Sequence, residues 1–231
     1  MSSATPELDK LRTHTRKVFR EGGGSRPEVS IVELNGSAAV LKDYTRSDPR
    51  FGRFIGPLSA RREAKALQIL DGVAGVPRFL GRPAREAVLM EYVPGANVRE
   101  VERTRLTPEF FERFYRLIDE IHRRGVAHCD LRSQGNILLG ADDRPYIVDF
   151  VAHFKQGQRW NPLTRWMFRK FCEADRTAVA RLKKALAPQL LTDTEHAALA
   201  RDRKTPLERG ARMVGKSFRH LSRWLLTRRP G

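Results

Sequence analysis

Residues 128 to 139 read HCDLRSQGNILL. A carboxylate able to take a proton, Asp130, precedes an amide, Asn136, and an apolar run follows at once. A second carboxylate, Asp149, comes next in YIVDF. Upstream, Lys42 closes SAAVLK and Glu63 sits in SARREAKALQIL. Phosphoryl transfer asks a protein to cradle phosphates, hold divalent cations and orient an acceptor hydroxyl. These residue types meet that list in chain order. Taken singly, each also has an ordinary reading. Asp130 and Asn136 would be turn residues, Lys42 a solvated strand end, and Glu63 a member of surface helix pairs. His128 is as consistent with a hydrogen-bonded core histidine as with a brace for the loop.

Such residues need elements to hold them. From residue 16 to 43 the pattern is a three-stranded meander. RKVFR comes first, then the glycine-rich EGGGSRP with Gly22, Gly23 and Gly24, then EVSIVEL. Val29 and Ile31 alternate with Ser30, Val32 and Leu34. Asn35-Gly36 is a strong hairpin signal, and SAAVLKDY returns as the third strand. SARREAKALQIL reads as a helix with Ser59 as N-cap and with Glu63, Leu67 and Leu70 on one face. GVAGVP ends it. PRFLGR and EAVLMEYV are two more strands, and PGAN reads as a loop. TPEFFERFYRLIDEIHRRG is a helix with Thr107 as cap, Pro108 at its first position and Gly125 past its end. Its buried stripe is Phe110, Phe114, Leu117 and Ile121. A short strand NILLG, the turn ADDRP and the strand YIVDF follow. From about residue 160 the chain reads as helical, with DRTAVARLKKALAP ending at Pro188. Strand and helix do not alternate throughout, which excludes a doubly wound nucleotide fold and favours an α+β, two-lobed arrangement.

Composition narrows the class further. The chain has 231 residues, 40% hydrophobic and 31% charged, with a formal net charge of +17. That is a globular composition attracted to anions: nucleotides, phospholipid headgroups, nucleic acid or phosphorylated glycans. A solvated basic surface accounts for the charge equally well. The two cysteines, Cys129 and Cys172, form no zinc-type spacing and fit a reducing compartment. MSSATPELDK has no apolar signal region, and no run reaches the roughly 20 apolar residues of a membrane span. The expected location is cytoplasmic, with room for binding at a membrane surface.

HCDL with Asn136, followed by VDF, resembles the HRDL…N and DFG signature of the protein-kinase-like superfamily. AVLK at 39 to 42 resembles its VAIK strand, Glu63 stands where its helix-C glutamate belongs, and LMEYVPG resembles the strand and hinge that hold adenine. The likeness spans about residues 16 to 185. The small size and the lack of an APE segment resemble the compact atypical branch: RIO kinases, small tRNA-modification-associated kinases, and bacterial kinases of lipopolysaccharide core sugars, Kdo and heptose. GGSRPEVSIVELNGSAAVLKDY and HCDLRSQGNILL resemble the last group most. The resemblance implies a bilobal protein-kinase-like fold, a β-rich N-lobe over residues 1–93 and a mainly helical C-lobe over 94–200. It implies ATP and Mg²⁺ as cofactors. Asp130 would orient the acceptor hydroxyl. Asn136 and Asp149 would hold Mg²⁺, and Lys42 would bind the α- and β-phosphates paired with Glu63. Gly22, Gly23 and Gly24 would approach phosphate, and Glu91 and Val93 would lie at the adenine.

Three departures stand out. Five residues separate Asp130 from Asn136 where the pattern has four, a surplus that Gly135 can absorb as a bulge. Residue 151 is Val where the family often has Gly, and the triple glycine lacks GxGxxG spacing. A nucleotide-binding pseudokinase scaffold is therefore an alternative, though the full set of five residues opposes it.

Two later segments bear on the acceptor. RWNPLTRWMFRKF, residues 159 to 171, follows the metal aspartate where kinases usually bind acceptors. Trp160, Leu163, Met167 and Phe171 form one stripe, with Trp166 and Phe168 outside it. Beyond residue 200, positions 206 to 228 set Leu207, Val214, Phe218 and Leu221 against Arg209, Arg212, Lys216 and Arg219, the pattern of a basic amphipathic helix for an anionic membrane surface. A helix docked on the core, or a short coiled coil, would share the pattern. The expected activity is a kinase acting on a hydroxyl of a membrane-associated, lipopolysaccharide-type glycan or lipid. A small serine/threonine protein kinase is the alternative. No motif favours nucleic acid.

Overall fold

Asn35 and Gly36 adopt φ of 50° and 78°, the paired positive angles of a tight hairpin turn. The chain here is a computed structural model that describes residues 7–158 and 160–202; positions 206 to 228 of the basic segment lie outside the described residues. The hairpin joins β2 (Glu28–Leu34) to β3 (Ser37–Asp43), which pair from Glu28↔Asp43 to Leu34↔Ser37. Before them come α1 (Leu8–Thr13) and β1 (Thr15–Arg20); after them come α2 (Pro49–Phe54), α3 (Gly56–Ile69), β4 (Phe79–Gly81) and β5 (Ala87–Glu91). The sheet is antiparallel in the order β1-β2-β3-β5-β4. Alternation puts Val32, Ala39, Leu41, Ala87 and Leu89 into one apolar cluster, closed by Leu11 of α1.

The chain continues with β6 (Gly95–Asn97), α4 (Pro108–Arg123), β7 (Val126–Ala127), β8 (Ile137–Gly140), β9 (Pro145–Ile147), β10 (Phe154–Lys155), α5 (Pro162–Leu186) and α6 (Asp193–Asp202). One compact unit takes in the residues up to Asp71 and Pro77–Tyr92; the other takes in Gly72–Val76 and resumes at Val93. The first is a β-sheet with helices and the second is mainly helical, as the α+β reading expected. Among the described residues no helix is long and apolar enough to cross a membrane.

Helix α4 follows its sequence signals closely. Thr107 Oγ1 accepts from Phe110 N–H, and Pro108 opens the helix. Phe110, Phe114, Leu117 and Ile121 are all buried, joined by Phe111 and Ile118. Helix α3 departs from expectation at its start. It begins at Gly56, so Ser59 is an interior buried residue and not the cap. Pro57, at the first turn, supplies the earlier start. Elements that the sequence reading passed over include α1, α2 and β6, the last formed within PGAN by pairing with β8. The helix after residue 160 is a single α5 of 25 residues. Its apolar positions do not form the expected stripe. Phe168 and Phe171 are buried while Trp160 is 77%, Leu163 63% and Trp166 40% exposed. The inward side is set by Phe168 and Phe171 meeting Ala127, with Met167 and Phe154 packed alongside.

Candidate active site

In the first unit, β3 carries Lys42 into the protein. Its Nζ donates to Glu63 Oε1 at 2.6 Å, and both side chains are buried. The register Lys42↔Val29 and Lys42↔Val88 seats it in the middle of the sheet. Glu63 lies on the same buried face of α3 as Leu67 and Leu70, so the ion pair follows from helix periodicity meeting a strand of fixed register. Two buried charges are tolerated here because they neutralise each other; removing one leaves the other uncompensated.

The glycine loop is a tight turn. Gly23 N–H donates to Arg26 O at 3.1 Å, Arg26 N–H returns to Gly23 O at 3.0 Å, and Gly24 O accepts from Asp48 N–H at 2.9 Å. A Cβ on Gly22 would fall 2.3 Å from Arg46 O, so close backbone approach explains that glycine. The Gly23 amide is committed to the turn, which leaves less of the loop's backbone for phosphate. At the end of β5, Glu91 N–H donates to Arg78 O at 2.9 Å and the Glu91 carboxylate accepts from Arg78 N–H at 3.1 Å. Val93, in the second unit, is buried.

The second unit holds the other three residues. Asn136 Nδ2 donates to Asp130 O at 3.0 Å and lies 3.4 Å from Asp130 Oδ2. With the NH₂ turned to Asp130, the amide oxygen remains for a cation. Asn136 O accepts from Val148 N–H at 2.9 Å, and Ile137 pairs with Ile147. The β8–β9 ladder thus delivers Asp149 next to Asn136. Asp149 adopts φ 68°, ψ 65° and starts a short helical turn, Phe150–Ala152. Phe150 is fully buried, its ring edge-on to His128 at 4.8 Å.

The surplus residue between Asp130 and Asn136 is taken up by two successive turns. Ser133 N–H donates to Asp130 O, and Asn136 N–H to Ser133 O. Gly135 does not carry the bulge: it is not among the positive-φ residues, and a Cβ there would meet only Ser133 Oγ at 3.8 Å. The unusual backbone lies earlier, at Cys129, with φ of 67°.

What holds that conformation is Asp175, which sequence reasoning missed. Buried on α5, its carboxylate accepts from His128 N–H at 2.7 Å, Cys129 N–H at 2.9 Å and His122 Nε2 at 3.1 Å. His128 adds a second brace. Its Nδ1 accepts from Asp130 N–H at 3.2 Å, which puts the ring proton on Nε2, facing Val148 O at 3.1 Å. One histidine therefore ties the backbone of Asp130 to the strand that leads into Asp149. Nearby, burial pushes the Cys172 thiol up to about 12, with Asp175 adding to the effect; it stays protonated and is no nucleophile.

A cavity of about 720 Å³ lies elsewhere in this unit, walled by α4, α5 and α6, and none of the candidate site residues read from the sequence lines it. Lys183 contacts both Glu195 oxygens at 3.0 Å there, and Tyr115 O–H donates to Glu195 at 2.7 Å. Burial and the adjacent Glu195 raise the Tyr115 hydroxyl. Burial opposes ionisation of Glu195, but bonds from Thr192 N–H, Tyr115 and Lys183 prevail and hold its carboxyl below the usual range.

A family model for the RIO domain matches residues 41–182, well over half of the chain. The chain belongs to the RIO family. This is the protein-kinase-like atypical family, one of the three branches that the motifs resembled. Among solved structures, the chain is similar to the Rio2 kinase of Chaetomium thermophilum in an ADP/Mg²⁺-phosphoaspartate complex, at 18% identity and a TM-score of 0.60, covering 96% of this chain and 80% of that one. A second Rio2 kinase structure from the same organism matches at 18% identity and a TM-score of 0.57, covering 95% of this chain and 76% of the other. No curated protein sequence matches. The RIO match covers Lys42, helix α3, the Asp130 loop and Asp175 alike.

Proposed function

We propose that this RIO-family chain is a kinase that transfers the γ-phosphoryl group of ATP to a hydroxyl, with Mg²⁺. The observation that carries the reading is the contact of Asn136 with Asp130, which leaves an amide oxygen free of Asp130 beside a carboxylate while Asp149 follows just past the next strand. That donor set is all oxygen with a single metal-binding carboxylate, which suits a small hard cation that keeps several waters. Asn136 and Asp149 would hold Mg²⁺, which when bound neutralises charge on the phosphates. Lys42, fixed by Glu63, would meet the α- and β-phosphates; Gly22, Gly23 and Gly24 border them, and Glu91 and Val93 border the adenine. Asp130, oriented through its own N–H by His128, accepts the hydroxyl proton at its carboxylate. The ADP/Mg²⁺ complex of the similar Rio2 kinase supports ATP and Mg²⁺ as cofactors here.

The acceptor we favour is an anionic glycan or lipid of lipopolysaccharide type at the cytoplasmic membrane face. The net charge of +17 and the basic run at 206 to 228 support it. A second reading, a small serine/threonine protein kinase, is favoured by the RIO match itself. Purified protein with labelled ATP and Mg²⁺, offered membrane glycolipid or protein extract, separates the two. Label in glycolipid supports the first reading and label in protein alone the second. Nucleotide binding without any transfer or autophosphorylation would replace both with a scaffold.

A further inference from the structure

The opening turns of α5 and the residues just before them combine two properties. Trp160, Leu163 and Trp166 are exposed, although large apolar side chains of this kind usually lie inside. In sequence, residues 154 to 172 hold five cations, Lys155, Arg159, Arg165, Arg169 and Lys170, and no Asp or Glu. Lys155, Arg165, Arg169 and Lys170 are exposed; Lys170 also pairs with Glu173, just beyond the run, at 2.7 Å. Leu163 and Trp166 are helical neighbours, and Trp166, Arg169 and Lys170 follow at spacings of three and four. The opposite side of the same helix is anchored by Phe168 and Phe171, so the exposed side cannot turn inward without unpacking the core.

We infer that this side of α5, with Trp160 at its tip, is a docking surface for an anionic lipid bilayer. Tryptophan rings are amphipathic and settle at the boundary between headgroup and acyl chain. Lysine and arginine beside them meet lipid phosphates. A protein partner would also welcome tryptophan and arginine, but protein interfaces fix their register with charges of both signs. A run of one sign sets no register, which suits a fluid surface of uniform charge. The inference rests on the proposed membrane-bound acceptor and deepens it, since this surface comes soon after Asp149 in the chain. It is independent of positions 206 to 228.

The test uses the full chain carrying Trp224→Phe, which leaves Trp160 and Trp166 as its tryptophans. Vesicles of phosphatidylcholine alone, or mixed with phosphatidylglycerol, carry brominated acyl chains as quenchers. The expected result is a blue shift and quenching on the phosphatidylglycerol vesicles only, reversed by salt. Leu163→Asp should weaken the partitioning about tenfold with an unchanged melting temperature, because Leu163 is already exposed. Protein that sediments with vesicles while its tryptophans stay unquenched overturns the inference. So does protection of the two tryptophans by a soluble protein and not by vesicles. No nucleotide or turnover enters this readout. Quenching in an inactive protein leaves the surface standing and removes the kinase reading; activity without quenching does the reverse.

Discussion

Asp175 offers the sharpest perturbation, because one carboxylate holds two backbone amides and a histidine. In Asp175→Ala, His128 N–H, Cys129 N–H and His122 Nε2 lose an acceptor at 2.7, 2.9 and 3.1 Å together. Each stranded buried donor costs about 1–3 kcal/mol. They share one acceptor, so the costs do not add, and a loss of about 3–5 kcal/mol is expected, the range for breaking a buried charged cluster. At ~2–4 °C per kcal/mol for a chain of this size, melting falls by on the order of 10 °C. Asp175→Asn is the finer probe. It keeps the volume but offers one oxygen, so one of the two amides faces an NH₂. The melting temperature should fall less, while Cys129 relaxes from its φ of 67° and Asp130 shifts with it. A displacement near 1 Å costs about 10²-fold in rate, so kcat should drop that far with KM for ATP little changed. Steady-state transfer assays and a thermal melt on both variants give the answer. Asp175→Asn with kcat within about twofold of wild type would refute the clamp.

Other expectations concern single groups. Lys42→Met should lower kcat by roughly 10²-fold or more and also destabilise, since Glu63 is left buried without Lys42; adding Glu63→Gln should recover melting temperature but not rate, and recovery of both would remove Lys42 from the chemistry. Gly135→Ala should leave activity within about twofold and stability within ~0.5 kcal/mol, because its Cβ meets only Ser133 Oγ, at an ordinary contact distance of 3.8 Å; a large loss in either would restore the bulge at Gly135. The depressed Glu195 carboxyl favours the ionised form in the fold, so its contribution is present above the ordinary value near ~4.3 and lost as pH falls through the lower folded value. Melting of wild type should therefore decline more steeply from pH ~5 to ~3 than that of Glu195→Gln, and parallel curves would show that the Lys183–Glu195–Tyr115 contacts add nothing.

The parts of the fold that were readable in the sequence are those whose signals are local. Asn35-Gly36 turns because those two residues accept positive φ, and α4 starts and stops at Thr107, Pro108 and Gly125 because capping needs only neighbours in sequence. Lys42 and Glu63 were within reach because strand alternation and helix periodicity each fix a face. Helix α2 had its signal in Ser47-Asp48-Pro49: Asp48 accepts from Arg50 N–H, and the reading passed over it. Asp175 had none. It stands among charged residues in EADRT, and its partners are backbone amides 46 and 47 positions away, which leave no mark in side-chain pattern. The face of α5 was misjudged for a related reason. A helix rich in Trp, Phe and Met has several possible apolar stripes, and only packing of Phe168 and Phe171 on Ala127 selects one. At the Asp130 loop, motif counting located the extra residue, but where the backbone absorbs it depends on Asp175 and the two Ser133 turns.

The central claim is that Asn136 and Asp149 hold Mg²⁺ for phosphoryl transfer from ATP. It is tested most directly by titrating Mg²⁺ into the full chain with a fluorescent ATP analogue and following both binding and transfer. Wild type should bind nucleotide more tightly as Mg²⁺ rises and should transfer label. Asp149→Asn, with a melting temperature near that of wild type, should lose the Mg²⁺ dependence of binding and transfer at a rate lower by several powers of ten, on the scale of removing a charge-stabilising group from the transition state. Near-normal turnover of Asp149→Asn at saturating Mg²⁺ would contradict the assignment.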